Sequence, residues 1–115
     1  MEIAITTSSI SRLAGGLYES VRYLALETLN AGNNVKIYTL QDGYAEQDLK
    51  QWLPIVPILH RREYLKSFGY SEGLAKSIRA NKPTIIHQHG LWMYPSIVSS
   101  QFAKEGVKTI ISPRG

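Results

Sequence analysis

The sequence predicts an α/β fold, a mainly parallel sheet with helices on both of its faces, and three observations predict it. Short β-favouring apolar runs alternate with stretches of helical period along the chain. Glycines stand where two of those helical stretches must stop, at Gly32 and Gly106. The first complete unit reads strand, loop, helix, strand, which demands a right-handed parallel crossover. At 115 residues, with 43% hydrophobic and 19% charged side chains, the chain suffices for one domain, 1–115, and is too short for two.

Glu2 to Thr7 is a β-favouring run, and Ser8 to Gly16 reads as the loop that follows it. From Leu17 the period becomes helical. Leu17, Val21, Leu24, Ala25, Thr28 and Leu29 form one stripe, with Glu19, Arg22, Glu27 and Asn30 opposite. Gly32 supplies the left-handed residue that ends this helix, and Val35 to Leu40 is the second strand. Between Gln41 and Tyr70 the pattern is weak. Pro54 and Pro57 allow Trp52 to Leu59 no more than an edge strand. His60 to Phe68, basic and aromatic, reads as a short amphipathic surface helix. Ser71 is the expected N-cap of a helix carrying Leu74, Ala75 and Ile78, which Asn81-Lys82-Pro83 ends. Thr84 to His89 has the composition of a buried strand. Pro95 opens a helix through Ile97, Val98, Gln101 and Phe102, Gly106 closes it, and Val107 to Ser112 is the last strand.

Composition narrows the function classes. With no cysteine the chain can build neither a disulfide framework nor a thiolate metal site, which suits a reducing compartment. The N-terminal apolar run is too short for a signal peptide and has Glu at position 2, so a cytoplasmic location is the default expectation. No window approaches the roughly 20 apolar residues of a spanning helix. The formal charge of +4 and pI near 9.4 favour anionic partners such as phosphates, nucleotides or acidic lipids, although a solvated basic surface gives the same numbers.

In a parallel sheet the loops leaving the carboxyl ends of the strands open on one rim, and three of them are chemically unusual: Ser8 to Gly16, His89 to Tyr94, and Ser112 to Gly115. Gly15 and Gly16 stand directly before a helix, where bare backbone can approach a ligand and offer helix N-terminal N–H groups to an anion. The same pair also makes a tight strand-to-helix turn with no ligand. It belongs to neither a Walker loop nor a G-x-G-x-x-G fingerprint. Asp42, just after the second strand, stands where dinucleotide-binding folds place a ribose-gripping acid. His87 and His89 lie two apart on a strand, so their rings face the same way. A catalytic zinc needs about three protein ligands, and no Cys or nearby carboxylate completes the set, so no metal site is expected. At the strand end, His89 is the better placed to hydrogen-bond a polar substrate, and His87 is expected to be packed. Trp92 and Tyr94 either wall a sugar ring or cap the core. Arg114 is either an anion or hydroxyl ligand or a bystander on the surface.

Three segments together resemble the family-four retaining glycosyltransferases. They are Gly15-Gly16 with Val21, Leu24, Ala25, Leu29, Gly32, Val35, Ile37 and Thr39; Ile85-Ile86-His87-Gln88-His89-Gly90-Leu91-Trp92-Met93-Tyr94-Pro95-Ser96; and Ile111-Ser112-Pro113-Arg114-Gly115. The resemblance runs from Met1 to Gly115 and is weakest between Gln41 and Tyr70. It implies a GT-B architecture, in which two Rossmann-like domains face each other and the N-terminal one holds the acceptor. On that basis the chain is the front part of such an N-terminal domain, with the C-terminal donor-binding domain not present. The family's paired-glutamate donor motif belongs to that second domain. The implied partners are a nucleotide-sugar donor and a glycan or lipid-linked acceptor, with no nucleic acid and no cofactor. The implied setting is polysaccharide assembly at the cytoplasmic face of the membrane. By matching position, Gly15 and Gly16 would approach the donor diphosphate or an acceptor oxygen. His89 would contact the transferred sugar or acceptor, and Arg114 the acceptor or the charged side of the cleft.

Two further expectations follow. The chain alone should lack transferase activity, because half of the cleft is missing, and apolar surface left by the rest of the domain should favour self-association. Peripheral membrane contact through His60 to Phe68 stays open beside a plain solvated helix. The alternatives are a stand-alone Rossmann-like module that binds a nucleotide or phosphometabolite through Gly15-Gly16 and Asp42, and a non-catalytic interaction surface.

Overall fold

A computed structural model describes residues 1–60, 72–89 and 102–112, with the side chains of residues 72–75 and 112 left aside. Its centre is β1 (Glu2–Thr7), which pairs in parallel with β2 (Asn34–Leu40) on one side and β4 (Ile85–His89) on the other. The edges are β3 (Ile58–His60), parallel to β2, and β5 (Lys108–Ser112), parallel to β4. The order β3-β2-β1-β4-β5 is that of a Rossmann-like α/β sheet, as the alternation of periods predicts. The chain starts in the middle, runs outward through β2 and β3, and then returns past β1 to build the other half. The reversal falls between β1 and β4. Their carboxyl ends therefore flank the crevice in which open α/β sheets take ligands.

Side chains of successive strand residues point to opposite faces, and this divides the core in two. On one face Ile5, Val35 and Ile37, with Ile3 partly covered, pack against Val21 and Ala25 of α1 (Gly16–Asn30). On the other, Ala4, Tyr38 and Ile86 pack against Ile78 of α3 (Glu72–Asn81) and against Phe102. Helical structure thus covers both faces. Burying each such aliphatic side chain contributes about 1.5–3 kcal/mol, so neither layer is dispensable.

Within α1 the buried stripe runs through Val21 and Ala25, with Leu17, Tyr18, Leu26 and Leu29 packed beside it. Glu19, Glu27 and Asn30 face solvent as the spacing predicts. Gly32 adopts φ 95°, and its N–H donates to Leu29 O at 3.0 Å, which closes the helix. Gly106, at φ 94°, ends the helical turn at 102–104 in the same way. After α3, Lys82 takes the left-handed φ of 44° directly before Pro83.

The weakly patterned middle departs from expectation. Residues 45–52 form a short helix, α2 (Ala45–Asp48), continued by a 3-10 turn at Leu49–Trp52. Trp52 is therefore not strand but a fully buried member of the α1-side core. The edge strand begins only after Pro57, and His60 is its last residue rather than the start of a helix. The rest of the amphipathic helix expected up to Phe68, the Ser71 cap and the helix opening at Pro95 lie outside the described residues, save its turn at 102–104.

Candidate functional site

The site is built from the loop that follows β1. Thr7, the last residue of that central strand, is fully buried, as are Ile10 and Ser11. Ser11 caps a 3-10 turn at Arg12–Ala14 by accepting Leu13 N–H at 3.1 Å, and Ser11 O accepts Ala14 N–H at 2.9 Å. Gly15 then adopts φ 61°, ψ −134°, a conformation open to glycine and strained for any residue with a Cβ. It is also the N-cap of α1, and among the described residues no side chain caps that helix. The N-terminus of a 15-residue helix, the positive end of its dipole, opens at the sheet's carboxyl rim.

Gly16 needs glycine for neither shape nor space. Its φ is not left-handed, it is exposed, and a Cβ built on it meets nothing within 4 Å among the described residues. The requirement for the first glycine of the pair is conformational, whereas the second leaves room at the helix start.

Two carboxylates from the segment after β2 fasten this loop. Asp42 Oδ2 accepts the hydroxyls of Ser9 at 2.7 Å and Ser11 at 2.8 Å, while Oδ1 accepts Tyr44 N–H at 2.9 Å. Asp48 accepts Arg12 N–H at 2.9 Å and takes its guanidinium in a two-pronged pair, Nη2 to Oδ1 at 2.8 Å and Nε to Oδ2 at 3.2 Å. The same guanidinium lies 4.5 Å from the centre of the Tyr44 ring. Below the loop, Trp52 Nε1 donates to Ile10 O at 2.9 Å. Asp42 is thus engaged by its own chain on both oxygens, so the ribose-gripping role open to it from sequence gives way to a scaffolding one.

Both carboxyls are held below their ordinary value near 3.8. For Asp42, burial opposes ionisation, but hydrogen bonds from Ser9, Tyr44 N–H, Ser11 and Ala45 N–H outweigh it. For Asp48 the leading cause is the Arg12 side chain, followed by the Arg12 N–H. Groups depressed on folding add stability that is fully present above their unfolded pKa and is lost as pH falls through the folded one. The urea midpoint is therefore expected to stay flat above the ordinary carboxylate range and to drop below it. Asp42→Asn should lower the plateau and flatten that acid-side drop, and equal slopes in the two proteins would refute the assignment.

At the end of β4, His87 and His89 stack with ring centroids 4.2 Å apart and planes 28° from parallel, on one face as the strand period predicts. Their exposures correct the expectation. His89 is 2% exposed, while His87, expected to be the packed one, is only half-buried. In the sheet His87 lies between Ile5 of β1, which is buried, and Ile110 of β5, which is exposed.

Ser112, opposite His89 in the register, brings the end of β5 to the same rim. Gly15, Gly16 and His89 thus sit on segments leaving the carboxyl ends of the adjacent strands β1 and β4. Trp92, Tyr94 and Arg114 lie outside the described residues. A shallow depression lined by Glu2, Lys36, Tyr38 and Asn81 among others is at the opposite end of the sheet. Among the described residues no group of three or more His, Cys, Asp or Glu could hold a metal ion, and no helix is long and apolar enough to cross a membrane.

An open parallel sheet with a fastened glycine loop at its switch point defines a Rossmann-like α/β domain. The family is narrower than that class: residues 14–114 match the model of Glycosyltransferase Family 4, and the chain belongs to that family. No curated protein and no solved structure gives a significant match. Membership implies, in general terms, a sugar donor and an acceptor as substrates.

The sequence singles out the glycine pair and the strand-end histidines but not the scaffold of Ser9, Ser11, Arg12, Asp48 and Trp52. One signal was available. Adjacent parallel strands place the residues just beyond their ends side by side, so a serine run after β1 and an acid after β2 are natural neighbours.

Proposed function

We propose that this chain is the acceptor-side, N-terminal part of a retaining GT-B glycosyltransferase. It would work with a nucleotide-sugar donor and a glycan or lipid-linked acceptor in polysaccharide assembly at the cytoplasmic membrane face. The observation that carries the reading is the glycine loop at the β1/β4 switch point, which leads into a helix N-terminus that no side chain caps among the described residues. Oriented N–H groups and a helix dipole suit a diphosphate, the charged part of a nucleotide-sugar. In this reading Gly15 and Gly16 let the diphosphate approach the backbone, and His89 hydrogen-bonds the transferred sugar or the acceptor. Trp92 would wall a sugar ring, and Arg114 would help bind the acceptor or the charged side of the cleft.

Family membership supports the reading, and so does the engagement of Asp42 by Ser9 and Ser11, which disfavours a stand-alone dinucleotide module. One sheet supplies one wall of a two-walled cleft, so the 115 residues alone are expected to turn over no nucleotide-sugar and to bind uridine diphosphate weakly, in preference to NAD. Calorimetric titration with both ligands, beside a turnover assay with uridine and guanosine diphosphate-sugars, checks this. Preference for NAD would shift the assignment to a dinucleotide-binding module, and turnover by the pure chain would overturn the division of labour.

A further inference from the structure

The two serines in front of the glycine loop each do two things at once. Ser9 Oγ donates to Asp42 and accepts Ser11 N–H at 3.2 Å; Ser11 Oγ donates to Asp42 and accepts Leu13 N–H at 3.1 Å. A hydroxyl has one proton to give. With both protons directed to a single carboxylate oxygen, the lone pairs of both hydroxyls are left to receive the backbone N–H groups of the turn. Ser11 O and Arg12 O then accept Ala14 N–H and Gly15 N–H at 2.9 and 3.2 Å, which carries the order into the glycine pair.

We propose that Asp42 is a positioning residue for the glycine loop: through Ser9 and Ser11 it fixes the turn that delivers Gly15 and Gly16, so that the start of α1 meets a diphosphate already shaped. This rests on the reading of that loop as a diphosphate contact. Asp42 touches neither glycine and acts only through the serines, 33 and 31 residues away in sequence. Its charge matters because a carboxylate accepts both hydroxyls strongly, whereas a neutral amide presents one oxygen as a weaker acceptor and adds donors with no counterpart. Preorganisation is the gain. A loop fixed before the ligand arrives loses less freedom on binding.

The test uses the 115-residue chain with Asp42→Asn, Asp42→Glu and Ser11→Ala, read by amide hydrogen exchange and by titration with uridine diphosphate. Loss of a charge-assisted hydrogen bond is expected to speed exchange at Leu13, Ala14 and Gly15 about 10- to 100-fold in Asp42→Asn and Ser11→Ala, with β1 and β2 unchanged. Affinity for uridine diphosphate should fall by a similar factor. Asp42→Glu, which keeps the charge, should recover part of both. Unchanged exchange at the three amides overturns the proposal, and so does faster exchange with undiminished affinity. If the unaltered chain binds no uridine diphosphate, the diphosphate reading fails separately. Exchange alone then decides whether Asp42 sets the loop, and Ser11→Ala serves if Asp42→Asn does not fold.

Discussion

Replacing Trp52 by alanine is expected to destabilise the chain by about 3–5 kcal/mol, the range for truncating a large buried aromatic. Trp52 has no exposed surface, belongs to the α1-side core with Ile10, Ala45 and Ile55, and meets the Tyr18 ring edge-on at 5.9 Å. Truncation leaves a cavity under the site loop and removes the donor to Ile10 O, a carbonyl that water would then have to reach. A domain of this size has about 5–15 kcal/mol in total, so the loss is a large fraction of the whole. Trp52→Phe separates the two contributions, since it keeps most of the ring and loses the hydrogen bond; about 1–2 kcal/mol is expected from the unpaired carbonyl and the smaller ring. Urea unfolding followed by circular dichroism measures both. A loss under about 1 kcal/mol in Trp52→Ala would mean that the tryptophan does not fill that core.

The importance of Trp52 was not legible from the sequence, for a reason that applies to the whole segment from Gln41 to His60. Helical and strand periods need several repeats to register, and α2 and its 3-10 extension have four residues each. What fixes them is tertiary: Trp52 to Ile10 spans 42 residues, and Asp48 to Arg12 spans 36. By contrast β1, β2, β4, β5 and α1 could be read, because residues such as Ile3, Ile5, Val35 and Ile37, or Val21 and Ala25, repeat at the period of the element that holds them. The site divides along the same line. The left-handed backbone of Gly15 follows from a glycine pair at a strand-to-helix turn, and the shared face of His87 and His89 from their spacing. Which imidazole is covered depends on what packs over β4 and β5, and a single strand's pattern does not carry that information.

The sharpest test of the diphosphate reading sets stability and binding against each other at Gly16. Aspartate there occupies the first position of α1, with open space for its Cβ and a backbone that requires no left-handed φ. Removing a helical glycine and placing a negative charge at the positive end of the dipole both favour the fold, together by about 0.5–1.5 kcal/mol. The same charge occupies the place proposed for the diphosphate. Like charges about 4 Å apart repel by roughly 1–4 kcal/mol between bulk water and a protein surface, which is about a 5- to 1000-fold loss of affinity. Gly16→Asp is therefore expected to unfold at slightly higher urea than the unaltered chain while binding uridine diphosphate at least about fivefold more weakly. Gly15→Ala should behave in the opposite sense, losing about 1–3 kcal/mol of stability because alanine is strained at φ 61°. A Gly16→Asp chain that is stabilised and still binds uridine diphosphate undiminished would show that the α1 N-terminus does not meet the ligand. The glycine pair would then be a turn and nothing more.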